Sequence, residues 1–154
     1  MGLTNFFKKL IPKKENSCYS RCRSKQRKYR EELIKKFKVC PLDNLHPSLC
    51  EAAHILPHGM CKKSKNKYDV NNGILLSCNM HKAFDRHLFT IDENNCKVKI
   101  LENNILKFQD NKKKINLKEF GLDKIENKYI SLLDNEKSKK FLKKRNKLVK
   151  EGKI

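Results

Sequence analysis

Tryptophan is absent from this 154-residue chain, and glycine and proline number only 5 and 4. Aromatic residues make up 8% and hydrophobic residues 38%, so only a modest core can form. That length and core suit one domain with extended arms and exclude a multidomain machine. No apolar run approaches the roughly 20 residues that a membrane-crossing helix needs. A secretory leader is not expected: Met1–Leu10 carries Lys8 and Lys9, Pro12 follows, and no apolar segment stands there. The expected location is intracellular, off the membrane. No CxxC pair occurs, although cysteines stand at Cys18, Cys22, Cys40, Cys50, Cys61, Cys78 and Cys96. Without a leader these read as reduced thiols or metal ligands rather than a disulfide framework. Most are expected to be structural, with a zinc site as the alternative.

Acidic residues are scarce too. There are 17 Asp+Glu against 37 Lys+Arg, a formal net charge of +20. Residues 1–40 carry a net +10, residues 41–100 only +2, and residues 101–154 a net +8. Two basic flanks therefore enclose a nearly neutral middle, which also holds all five histidines. Such flanks neutralise phosphates and release counterions, which gives strong, salt-sensitive and largely sequence-blind binding. The plain alternative is a merely soluble basic surface.

Residues 1–16 read as a basic arm. Ser17–Lys38 reads as a helix, with Tyr29, Leu33, Ile34 and Phe37 at helical spacing, ended by Pro41 and the Asp43-Asn44 pair. Ser48–Leu56, bounded by Pro47 and Pro57, and Gly73–Cys78 read as strands, with a lysine-rich loop at His58–Asn71 between them. A short helix is expected at Asn79–Arg86. A hairpin of His87–Asp92 and Cys96–Leu101 should follow, then helices at Leu122–Leu133 and Lys137–Lys150.

The middle holds the chemistry. A histidine, His54, lies inside an apolar strand, Asn72 opens the second strand, and His81 opens the helix. Alone, a histidine such as His54 is more often a satisfied core residue than a base. As a set the three say more. A hairpin fixes His54, and the helix presents His81 on its first turn. Asp85, four residues on, projects from the same helix face. An imidazole and a carboxylate at that spacing can grip one divalent ion and leave positions open to water and phosphate. The Asn72 amide can tie the long loop to the hairpin.

Three blocks carry a resemblance to a known family. They are Glu51-Ala52-Ala53-His54-Ile55-Leu56-Pro57, Asn72-Gly73-Ile74-Leu75-Leu76 and His81-Lys82-Ala83-Phe84-Asp85. Together they resemble the HNH endonucleases, whose core is the ββα-metal fold, over roughly residues 28–100. A fainter echo lies at Phe141–Val149. The resemblance implies an α+β domain with a ββα-metal core, flanking basic helices and a further short β-hairpin. It divides the chain into the arm at 1–16, a nuclease domain with its leading helix at 17–101, and a lysine-rich helical extension at 102–154. It further implies that His54 is the general base, that Asn72 braces the loop and orients it, and that His81 is a metal ligand with Asp85 as a second. The ion would be a single divalent cation, Mg²⁺ first, with Mn²⁺ or Zn²⁺ as alternatives. The product ends would be 5′-phosphate and 3′-hydroxyl. One such site cuts one strand, and no homodimer interface is legible.

The departures matter as well. Many relatives place a ligand directly before the base, where this chain has Ala53. Glu51 shares the strand parity of Ala53 and is either a substitute ligand or a strand-edge carboxylate paired with a lysine. The paired-cysteine zinc staple of some relatives has no counterpart here, so Cys40, Cys50 and Cys78 are expected as packing residues. His58 and His87 are spare imidazoles expected at the surface, although His58 could reach the scissile phosphate. No Arg/Asn/Gln cluster sits on one short helix, so the expected partner is DNA bound with low sequence specificity. Two alternatives stand beside the endonuclease. One is an inactive HNH scaffold that binds nucleic acid. The other is a basic structural or packaging protein holding zinc.

Overall fold

The computed structural model describes residues 18–108 and 116–154, so the expected basic arm at 1–16 lies outside the described residues. Helix α1 (Cys18–Phe37) buries Tyr29, Leu33 and Phe37, one stripe at intervals of four residues. It stops at Lys38, which takes a left-handed φ of 64° while its N–H closes on the Ile34 carbonyl. Arg30, on the same helix, donates to the carbonyls of Pro47 and Cys50 and so fastens α1 to the start of the first strand.

Strands β1 (Cys50–His54) and β2 (Gly73–Ser77) form an antiparallel pair in which His54 faces Gly73 and Cys50 faces Ser77. Every residue of β2 is buried, because α1 and the helix that follows β2 both pack against the pair. Between the strands runs not a plain loop but a chain of tight turns around a short helix, α2 (Ser64–Lys67). Helix α3 (Cys78–Asp85) begins at Ser77, whose hydroxyl accepts from the Met80 N–H. It buries Met80, Ala83 and Phe84 and turns His81 and Asp85 outward. This ββα unit within a mixed α+β architecture is the core that the motifs predict.

The second hairpin also forms, shorter than expected, as β3 (Phe89–Ile91) and β4 (Val98–Ile100). A further short helix, α4 (Glu102–Ile105), follows it. The expected helix at Leu122–Leu133 does not. Leu122, Ile125, Ile130 and Leu133 are buried at helical spacing, but the backbone around them bonds elsewhere. Val98 N–H donates to the Lys128 carbonyl, and Ile130 N–H donates to the Cys96 carbonyl. Asn127 meanwhile takes a φ of 61°. The segment thus lies along the β4 edge, ending in one 3₁₀ turn at Ser131–Leu133.

The last helix, α5 (Glu136–Lys150), is capped by the Asn135 side chain and buries Phe141, Leu142, Arg145 and Asn146. Asn146 donates to the Ile91 carbonyl and to Glu93, and accepts from the Thr90 hydroxyl, which knits α5 to the β3–β4 hairpin. The lysine-rich extension therefore shares one core with the ββα unit rather than standing apart. Among the described residues no helix is long and apolar enough to cross a membrane.

Candidate active site

His54 closes β1, and its ring is held by three groups. Its Nε2 donates to the carbonyl oxygen of Lys67, the last residue of α2, at 2.7 Å. Tyr29 of α1 stacks on the imidazole with ring centres 4.9 Å apart. His58 packs edge-on at 5.7 Å, and Tyr68 in turn packs against both Tyr29 and His58. The bond at Nε2 fixes the tautomer and leaves the lone pair on Nδ1, which has no hydrogen-bond partner among the described residues. Burial lowers the His54 pKa, although the Lys67 carbonyl and Asp85 act in the opposite sense. The ring is therefore neutral at neutral pH and able to take a proton.

Asn72 is fully buried at the other side of that strand exit. Its Oδ1 accepts from the Leu56 N–H at 2.7 Å, and its Nδ2 donates to the Leu56 carbonyl and to the Asn66 carbonyl of α2. One amide thus splices β1, α2 and the start of β2. Its own carbonyl oxygen receives the Ile55 N–H and the Tyr29 hydroxyl, both at 3.0 Å. Nothing about Asn72 touches the imidazole of His54 directly. It holds the backbone on both sides of the ring.

The third element is a chain of acid, imidazole and acid. His81 Nδ1 lies 2.6 Å from Glu51 Oε2, and its Nε2 lies 3.3 Å from Asp85 Oδ2. Ala53 is fully buried and offers no donor, whereas Glu51 on the same strand face extends across to α3. Among the described residues, Glu51 is therefore partnered by His81 and not by a lysine. The donor set suits a divalent ion, since carboxylate oxygens and an imidazole favour hard or borderline cations over thiophilic ones. Both carboxylates are more than half exposed, so either can swing away to free one ring nitrogen. As they stand, the three bridge one another, and among the described residues no three His, Cys, Asp or Glu side chains are arranged to hold an ion.

Two spare histidines are not at the open surface where they were expected. His58 belongs to the ring cluster around His54, with Nε2 buried and unpartnered among the described residues. His87 Nδ1 accepts from Arg145, and burial together with that guanidinium holds its pKa down. Of the thiols expected as packing residues, Cys40 and Cys50 are buried, but Cys78 is exposed.

Arg145 is the residue that the motifs do not reveal. It is 1% exposed, it donates to the carbonyls of Ile55 and Phe84, and it lies 3.6 Å above the Phe84 ring. Burial lowers its pKa to about 10, so it remains a cation at neutral pH. Its sequence signal is slight: a lone arginine among lysines, one turn after Phe141 on the apolar stripe of α5. Tyr29 was legible as a core residue of α1 and as part of the family resemblance, but not as a partner of His54.

Residues 38–92 match the HNH endonuclease family. The segment belongs to that family. The match runs from the end of α1 through β3, and thus contains the whole ββα unit and every member of the site named above except Tyr29 and Arg145. No curated protein matches the chain. The HNH segment is gripped by two elements outside the match: α1 supplies Tyr29 and α5 supplies Arg145. Nuclease chemistry of the general HNH kind, with a divalent ion, is what the family brings.

Proposed function

We propose that this HNH protein is a metal-dependent DNA endonuclease of low sequence specificity. The observation that carries the reading is the unbonded Nδ1 of a fixed, neutral His54 on the core that also bears the Glu51–His81–Asp85 chain. On this reading His54 takes the proton from the attacking water at Nδ1. The Lys67 carbonyl accepts the N–H on the opposite side of the ring and stabilises the imidazolium that forms. Asn72 keeps the strand exit and α2 in register, so the ring does not tilt during that transfer. His81, with Asp85 and Glu51, would hold a divalent ion, Mg²⁺ on this reading, which supplies charge stabilisation to the phosphate and the departing 3′-oxygen. The ends left are 5′-phosphate and 3′-hydroxyl.

The test is nicking of supercoiled plasmid in Mg²⁺, Mn²⁺ or EDTA. Cleavage should need the metal, and His54→Ala should remove roughly 10²–10⁴-fold of the rate. A His54→Ala protein that nicks as fast as the unsubstituted chain would overturn the assignment.

One observation favours a second reading. Both ring nitrogens of His81 already face carboxylates, and no three-ligand arrangement stands ready among the described residues. An HNH scaffold that binds nucleic acid without cutting it fits that arrangement. It predicts no metal-dependent nicking in the same assay.

A further inference from the structure

The two basic flanks, remote in sequence, meet on either side of α2. A groove of about 300 Å³ lies between α1 and α2, bordered by Lys25, Lys28 and Lys65 with Tyr29 and Tyr68. A second groove, of about 630 Å³, lies between the α2 segment and α5, where Lys62, Lys144 and Lys147 border it. Lys65 belongs to both. All of these lysines are exposed. Carboxylates are few: Glu32 stands in the first groove, and Glu151 in the second, 2.7 Å from Lys153 and 3.8 Å from Lys147.

We propose that these two grooves form one track for the phosphodiester backbone of the DNA substrate, crossing over α2 with Lys65 at its midpoint. The occupant follows from charge, since a row of solvated ammonium groups with so few carboxylates matches a repeating monoanion. Its position relative to the site follows from shared residues. Tyr29 lines the first groove and also stacks on His54. Lys67, at the end of α2, supplies the carbonyl that holds the same ring. A strand lying along the track therefore passes directly beside the base. The cavity of about 530 Å³ beside α3 is a poorer candidate. Its cations Lys82, Arg86 and Lys118 are offset by Asp43 and Glu119, and it borders neither Tyr29 nor α2.

The proposal rests on the nuclease reading for the identity of the strand, and its test is independent of cleavage. Binding of a fluorescein-labelled duplex of mixed sequence is read by anisotropy across a salt series. The full chain carrying His54→Ala is used, with EDTA throughout. Lys25, Lys28 and Lys65 are changed together to Ala in one protein, and Lys62, Lys144 and Lys147 in another. A control changes Lys99, Lys124 and Lys137, which are equally exposed and lie elsewhere. Each lost phosphate contact lowers the log K against log salt slope by about 0.9, so each track triple should lower it by about 2 to 3 and the control by far less. Lys→Arg at the same track positions keeps the charge and should retain binding. Equal losses in track and control proteins, or loss of binding in the arginine versions, would overturn the track. Unchanged slope losses in a chain that never nicks DNA would remove the nuclease reading and leave the track standing. Nicking without slope losses would remove the track alone.

Discussion

Arg145 on the last helix donates to the carbonyl of Ile55, the residue that follows His54, across 90 positions of sequence. Its other arm donates to the carbonyl of Phe84, the residue before Asp85. A single buried cation thus spans the exit of the strand that carries His54 and the helix that carries His81 and Asp85. Charge-assisted bonds of this kind are roughly twice as strong as neutral ones.

Arg145→Ala should therefore cost stability and activity together. Two charge-assisted bonds are lost, at about 1.5–3 kcal/mol each, leaving the Ile55 carbonyl without its side-chain donor and the Phe84 carbonyl with backbone donors such as the His87 N–H, and the Phe84 ring loses its covering cation. Chemical denaturation should report a loss of roughly 3 kcal/mol or more on that basis. Arg145→Lys retains charge but cannot reach both carbonyls, so it should fall in between. An alanine variant as stable as the parent would show that the C-terminal helix is not part of the site's frame.

Gly73→Ala should reduce turnover more than its size suggests. A Cβ there would collide with the Tyr29 hydroxyl and come within 2.8 Å of Leu33. Tyr29 cannot yield freely, since its hydroxyl is bonded to Asn72 and its ring is stacked on His54. The strain therefore passes to the His54 ring. The expected result is a lower cleavage rate with DNA affinity nearly unchanged, measured by single-turnover cleavage beside equilibrium binding.

Cleavage should persist to lower pH than an ordinary imidazole base allows. His54 works as a base only when neutral, and burial lowers its pKa, so the acidic limb of the rate profile should fall below the usual histidine value of about 6.5. The same shift sets a sign for stability. A group whose folded pKa is depressed stabilises the fold above its unfolded value, and that contribution is lost as pH falls through the folded one. Thermal melts should show the melting temperature dropping as pH is lowered below about 6.5, and less steeply in His54→Ala. A rate profile with its acidic limb above the usual histidine value would refute the assignment of His54.

Glu51→Gln and Asp85→Asn separate ligand from brace. If both carboxylates serve the ion, each change should raise the Mg²⁺ concentration needed for half-maximal nicking by about tenfold or more, on the scale of lost outer and inner contacts. DNA binding in EDTA should stay the same. A change in binding with no change in metal requirement would make them positioning groups for His81 only.

Much of the centre was legible because its determinants are local. Pro47 and Pro57 bracket β1, Gly73 opens a fully apolar run, and His81 and Asp85 share a helix face through their spacing alone. The Leu122–Leu133 segment misled because its apolar residues recur at helical spacing, while its backbone bonds belong to β4, some thirty residues earlier. Arg145 and Lys67 were beyond reach for a related reason. One looks like any cation of a basic helix until distant carbonyls come to surround it. The other acts through its main chain, about which a side-chain letter says nothing.

That last point has a genetic side. The group that sets the tautomer of His54 is a peptide oxygen, so no change of the side chain at position 67 can delete it. Residue identity on α2 is free to drift towards whatever suits the strand passing over it. What selection must keep is the number of residues between the two strands, because one inserted or lost would carry a different carbonyl to the ring. Between His54 and Asn72, the α2 stretch is thus held by its length rather than its letters.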